Sequence, residues 1–354
     1  MPKFNRKLIH QRLDEALDRV ETSPEHVKGL RISQWDGLTK DSDNNPQVTQ
    51  LVGVQLQVGV NGLDTISKAK PTVIKPTKRV KPTRDQKVEV FFGDTHHPFH
   101  DRRKLALAMI AIQELSPDVI TFLGDDLDMA LFSRFESRAD WAGSTQASLD
   151  EFHQTLAEVR ANAPEAELVV HEGNHNVRLE RELRKYNGEL VGIRRADAAQ
   201  ELGVLSVPFL LRLDELDAEY VQGYPSAERW HTDNLKSYHG NVINSSGSAV
   251  AKQLRTETAN FVHGHTHKAE LVYRTMRVGR QVTQIFGMSP GTFADMNAVP
   301  SGAYATDQKG NTVPQVHDWH TTLGVIFHDE DTIAPYLLPI TDESIDIFGK
   351  KYKN

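Results

Sequence analysis

From Val88 onward the chain repeats one arrangement five times: a short run of β-type residues that ends on glycine flanked by Asp, Asn or His. Val88-Glu89-Val90-Phe91-Phe92 leads into Gly93-Asp94-Thr95-His96, and Val119-Ile120-Thr121-Phe122-Leu123 into Gly124-Asp125-Asp126-Leu127-Asp128. Leu168-Val169-Val170 leads, through His171 and Glu172, into Gly173-Asn174-His175-Asn176. Leu235-Lys236-Ser237-Tyr238 meets His239-Gly240, and Phe261-Val262-His263 meets Gly264-His265-Thr266-His267. Amphipathic helical stretches, such as 102–115 and 149–160, separate several of these runs. That alternation predicts an α/β fold, with polar clusters placed where strands end and loops begin.

Taken singly, a Gly-Asp is a turn and a His-x-His is incidental. Five strand ends that all offer hard or borderline ligands beside glycine argue jointly for a metal centre. Composition narrows the chemistry further. The chain has no cysteine, which removes disulfides, thiolate sites and Cys nucleophiles, and its 16 histidines leave imidazole, carboxylate and amide as the donors. Histidines outside the clusters (His10, His26, His153, His231) read as surface or structural residues, and His171, inside a strand run, as a hydrogen-bonded core residue.

The order Asp-x-His, Gly-Asp-x-x-Asp, Gly-Asn-His, His-Gly, Gly-His-x-His, spread over Asp94 to His267, resembles the signature of the calcineurin-like metallophosphoesterases. Among them the chain looks closest to stand-alone phosphoesterases of phage and bacteria that are likened to DNA-repair exonucleases. The resemblance implies a β-sandwich of two mixed sheets flanked by helices, with the site at the strand ends. Residue by residue it implies Asp94, His96 and His267 on a first metal, Asp125 as a carboxylate bridging two metals, and Asn174, His239 and His265 on a second. His175 is then the histidine that bonds the phosphate and protonates the leaving oxygen, and Arg178 a candidate phosphate contact, with a helix-surface charge as its alternative. Two cations roughly 3.5–4 Å apart clamp a phosphate and activate water for in-line attack. Carboxylates offset their charge, neutral His and Asn preserve Lewis acidity, and the glycines allow close backbone approach. Manganese is the expected metal in vitro; iron, zinc and nickel suit the same donors.

Two departures from the family pattern stand out. Asn176 occupies the position where an acid usually orients the preceding histidine, so the sequence predicts a retained hydrogen bond without the charge and a shift toward good leaving groups. Met129-Ala130 stands where the protein Ser/Thr phosphatases carry Arg-Gly, which disfavours a phosphoprotein substrate.

The remaining sequence sets the domain plan. Residues 1–66 read as a small α+β domain: helical spacing over Phe4, Leu8, Leu13, Leu17 and Val20, a short second helix from Ser23-Pro24-Glu25, then strand-like runs 30–35 and 47–60 about a turn-rich stretch. Packing or assembly into an oligomer is its leading role, and a winged-helix-like nucleic-acid binder the alternative. Residues 67–87 form a basic, proline-spaced linker, 88–345 the catalytic domain, and 346–354 a tail. The run Asp318 to Phe327 reads as a strand completing the second sheet, with His317 and His320 structural. Net charge is −7 overall, but residues 1–87 hold 16 Lys/Arg against 10 Asp/Glu and the remainder 25 against 38. The basic segment reads first as a solvated tether, with contact to DNA or RNA as the alternative that would offset the acidic body. No apolar run reaches the roughly 20 residues of a membrane span, so no membrane partner and a cytoplasmic location are expected. The leading expectation is a two-metal phosphodiesterase or nuclease; a phosphomonoesterase or small nucleotide phosphodiesterase comes second, and a binding module on this fold third.

Overall fold

In the computed structural model the chain divides into two compact units, Met1–Val73 and Ile74–Asn354. The structure describes residues 27–40, 46–58, 84–133, 143–197, 201–244, 247–296, 298–299, 305–306, 312–313 and 318–353. In the first unit these comprise β1 (Val27–Lys40) and β2 (Pro46–Val58), which pair antiparallel with Leu30 opposite Leu56 and Trp35 opposite Leu51. The helical segments expected before Val27, the linker up to residue 83, and His10, His26 and His317 lie outside the described residues.

The second unit is built on two mixed sheets flanked by helices. The first sheet starts from β3 (Lys87–Phe92), β4 (Val119–Phe122), β5 (Glu167–His171) and β6 (Ala218–Val221), which run parallel in that order. Between these strands come α1 (Arg102–Leu115), α2 (Ser144–Asn162), α3 (Arg178–Tyr186) and the single turn α4 (Val207–Leu210). The second sheet has the order β10-β11-β9-β8-β7, with β7 Arg229–Thr232, β8 Leu235–Tyr238, β9 Asn260–His263, β10 Ala269–Val278 and β11 Gln281–Pro290. A short helix, α5 (Ala249–Gln253), connects β8 to β9. Residues 305–306 and 312–313 pair as two short strands, β12 and β13.

Alternation along the strands assigns each face. Val88, Val90 and Phe92 of β3 pack with Leu107, Ile112, Phe152 and Leu156 of α1 and α2, whereas Phe91 turns the other way. Phe91 joins Leu123, Leu235, Val262, Met288 and Ile326 in a core shared by residues of both sheets. Val250 and Leu254 cover the far side of the second sheet against Phe261 and Ile285. The result is helices, sheet, sheet, helix, with apolar cores between the layers.

The strand after residue 318 departs from expectation. β14 (Thr322–His328) does not complete the second sheet; it joins the first, antiparallel to β3 with Gly324 opposite Phe91, and β15 (Ile333–Pro339) extends that edge. Its residues serve two cores at once, Leu323 and Val325 on the helix side and Ile326 between the sheets. The residues read as a tail form most of a hairpin of β16 (Ser344–Ile347) and β17 (Lys350–Lys353), turned at Phe348 and Gly349, both with positive φ. Ile345 and Ile347 enter the helix-side core, and Tyr352 donates to Glu114 Oε2 at 2.7 Å. Among the described residues, two basic residues of the linker belong to the fold: Lys87 opens β3, and the Arg84 guanidinium donates to Leu115 O and Ser116 O, both at 2.6 Å, and to Asp118 Oδ2 at 2.9 Å. These carbonyls belong to the end of α1, where helix acceptors lack intrahelical donors.

A buried polar chain links the two sheets. His171 Nε2 lies 2.8 Å from Ser237 Oγ, which lies 2.7 Å from His231 Nε2. His231 Nδ1 stands 2.5 Å from Glu89 Oε2, and Glu89 Oε1 stands 2.7 Å from His328 Nε2. His171 is the core histidine the sequence suggests; His231 is structural, with its ring buried.

Candidate metal centre

Every motif loop leaves the C-terminal end of a strand that is parallel to a neighbouring motif strand, so the loops gather at one end of each sheet. From the first sheet come Asp94 and His96 after β3, Asp125 after β4, and Asn174 and His175 after β5. From the second come His239 after β8, and His265 and His267 after β9. His96, Asp125, His265 and His267 all have positive φ, between 51° and 71°. Four of the seven expected ligands therefore sit in a region that L-residues rarely adopt, a strain concentrated at functional sites.

The side chains converge as two triads. In each, one ligand atom from every residue lies within 4.8 Å of the others: Asp94, His96 and His267 in the first, Asp125, His239 and His265 in the second. Asp94 Oδ2 and His96 Nε2 each lie 3.0 Å from His267 Nε2. His239 Nε2 lies 3.3 Å from Asp125 Oδ2 and 3.1 Å from Asn174 Oδ1, which brings the seventh residue to the second triad.

The opposite ring nitrogens are anchored. His96 Nδ1 is 3.0 Å from Asp128 Oδ2, and His239 Nδ1 is 2.8 Å from the Leu123 carbonyl. Protons on those Nδ1 atoms set both Nε2 atoms facing into the triads, the arrangement that orients metal-bound histidines. The donor set fits a cation: buried carboxylates and imidazole nitrogens from both sheets face one another at short range. Burial pushes Asp94 and Asp125 upward, but the facing imidazoles outweigh it and hold both below the usual carboxylate range. Burial and the neighbouring His239 lower His265 to about 4, which keeps it a neutral donor. Burial lowers His239 too, but Asp125 overrides it and raises that ring to about 9, so its Nε2 takes up a proton that a cation in the site would displace.

Two glycines make the approach possible. A Cβ on Gly173 would fall 2.2 Å from Asp125 Oδ1, and one on Gly264 would fall 2.4 Å from Asp94 Oδ1.

His175 lies against both triads. Its backbone N–H donates to Asp125 Oδ1 at 2.7 Å, and its ring meets His96 edge-on at 4.7 Å. Its Nδ1 is 2.9 Å from the Asp128 carbonyl, and Arg178 approaches Nε2 at 2.8 Å while donating to that same carbonyl at 2.8 Å. Arg178 thus points into the site instead of lying along the helix surface. The hydrogen bond expected from Asn176 to His175 is not made. Asn176 is fully buried and its side-chain N and O have no hydrogen-bond partner among the described residues.

Asp128 does the orienting instead, and it holds His96 as well. Sequence reasoning gave it no role, although it is the second acid of Gly-Asp-x-x-Asp. Met129 and Ala130 are buried. His320 is exposed; its backbone N–H donates to the His267 carbonyl at 3.0 Å.

No protein-family model matches the chain. Gene 54 protein of Mycobacterium phage D29 is 25% identical over 272 residues, covering 73% of this chain and 96% of the phage protein. Gene 54 protein of Mycobacterium phage L5 is 21% identical over 267 residues, covering 75% and 98%. Among solved structures, Vacuolar Protein Sorting 29 from Cryptosporidium parvum is similar at TM-score 0.35 with 12% identity, over 77% of this chain and 100% of the other. YfcE, a phosphoesterase from E. coli, is similar at TM-score 0.31 with 13% identity, over 75% and 98%. Similarities at this level say nothing about substrate or activity.

Proposed function

We propose that this chain is a metal-dependent phosphoester hydrolase whose substrate is a phosphodiester of nucleic acid, with two divalent cations, one on each triad. The carrying observation is the convergence of two acid–imidazole triads from both sheets, with His175 and Arg178 set against them. Asp94, His96 and His267 would hold one ion, Asn174, His239 and His265 the other, and Asp125 would serve both; manganese is the ion of choice for assay. Bound there, two cations supply Lewis acidity to a phosphoryl oxygen and lower the pKa of a coordinated water toward 7.

The protein supplies charge balance, orientation and a proton. Asp94 and Asp125 offset cationic charge in a buried setting. Asp128 keeps His96 in the tautomer that presents Nε2. Arg178 has donors suited to a phosphate oxygen, and its turning toward one frees His175 Nε2. That nitrogen, once protonated, gives its proton to the leaving oxygen while Nδ1 stays on the Asp128 carbonyl.

Hydrolysis of bis(p-nitrophenyl) phosphate and p-nitrophenyl phosphate with manganese, controlled by EDTA and Asp125→Asn, tests the reading. Diester turnover abolished by both controls is expected. Turnover of the monoester alone replaces the diesterase with a phosphatase, and silence on both with metal bound leaves a binding module. For nucleic acid, affinity should fall with rising salt in proportion to the phosphates contacted.

A further inference from the structure

Beside the second triad stands an aromatic ring that belongs to none of the apolar cores. Tyr224 lies in the loop after β6, partly exposed, with its ring edge-on to His239 at 5.6 Å between centroids. The loop is tied to the ligand motif itself. Glu172, two residues before Asn174 and buried, accepts the backbone N–H groups of Gly223 at 2.8 Å and Tyr224 at 3.0 Å through one carboxylate oxygen. Its other oxygen accepts the Tyr220 hydroxyl at 3.4 Å. The ring position is thereby fixed to the same strand end that delivers Asn174 and His175.

A cation completes the arrangement. The Arg181 guanidinium lies over the Tyr224 ring, 5.8 Å from its centroid. Arg181 follows Arg178 by three residues on α3, so both side chains leave the same helix face. It is exposed and makes no ion pair among the described residues, unlike Arg184, which is paired with Glu180. A held ring and an unpaired planar cation, one imidazole away from a phosphate-handling site, match a flat π-system joined to a phosphate.

We propose that Tyr224 and Arg181 form a nucleobase-stacking subsite for the nucleotide adjoining the scissile phosphate. This rests on the phosphodiesterase reading and specifies what surrounds its phosphate. Stacking on an aromatic ring accepts every base, so the subsite selects for the presence of a base and not for its identity. Glu172 is a positioning residue: it acts through the loop that carries the ring.

The test compares a dinucleotide of two 2-aminopurine nucleosides with its doubly abasic counterpart, using the full chain. Binding is read by 2-aminopurine quenching with magnesium, and turnover with manganese. The wild type should quench the fluorophore and favour the base-bearing dinucleotide in kcat/KM by roughly 5- to 150-fold. Tyr224→Ala and Tyr224→Leu should remove both effects, Tyr224→Phe should keep them, and Arg181→Ala should reduce them. The two Tyr224 truncations together guard against a loop that simply collapses, and unchanged unfolding midpoints verify the fold. Equal turnover of both dinucleotides by the wild type, sensitive to Asp125→Asn, overturns the subsite and leaves the diesterase. Quenching lost in Tyr224→Leu with neither dinucleotide cleaved keeps the subsite and overturns the diesterase. Quenching unaltered in Tyr224→Leu overturns the subsite outright.

Discussion

His175 and Asn176 are adjacent, both buried, and differ in what surrounds their polar atoms. His175 has a partner on each ring nitrogen, the Asp128 carbonyl and Arg178. His175→Ala is therefore expected to lower kcat by about 10²- to 10⁴-fold on diesters with alkoxide leaving groups, and by far less on p-nitrophenyl esters, which leave unaided. Comparing the two leaving groups in one variant checks this, and equal losses would remove His175 as proton donor. Asn176 has neither solvent nor a partner among the described residues. Since a buried unsatisfied polar group costs about 1–3 kcal/mol, Asn176→Leu should be neutral or stabilising in urea unfolding. A clear loss of stability would show that the amide is satisfied in solution.

At the scale of elements, the glycines after β5 and β9 set how closely the two sheets' loops can interlock. Gly173→Ala places a methyl group 2.2 Å from Asp125 Oδ1 without altering any ligand. The expected result is a folded protein with at least tenfold weaker metal affinity by calorimetry, because the backbone or the carboxylate must shift. Such motif glycines and their ligands were legible in the sequence because each cluster is local: a strand, a sharp turn and a donor within a few residues. Asp128 was not, since its partners His96 and His175 lie 32 and 47 residues away and only folding brings them together. The sheet that β14 would join was equally hidden. An apolar run such as Leu323 to Phe327 shows that a strand is buried on both faces, but not which strand it lies beside. Alternation in Ser344 to Ile347 could have rescued the last hairpin from the tail.

Across the whole molecule, the chain from His171 to His328 ties the sheets together through polar groups that water does not reach. Glu89 is its hub. Burial would drive this carboxyl up, but the hydrogen bonds and charges of His231 and His328 outweigh it and bring it from 4.5 to about 2. A depressed acid stabilises the fold fully above the unfolded pKa, and that stabilisation is lost as pH falls from 4.5 toward 2. The shift corresponds to about 3 kcal/mol. Glu89→Gln should cost roughly that much in urea unfolding at pH 7, with the gap to wild type closing through the acid window. A gap independent of pH would mean that the side chain's packing, and not its charge, matters.

The division of ligands between the sheets has a consequence for how the protein is made. Asp94, His96, Asp125 and Asn174 precede the first strand of the second sheet, and the three histidines of that sheet complete both triads only when His267 arrives. A nascent chain that stops short of residue 265 carries Asp94, His96, Asp125, Asn174 and His239, but neither triad is complete. On the proposed two-metal reading, full loading therefore comes late in synthesis, after the loops of both sheets have met.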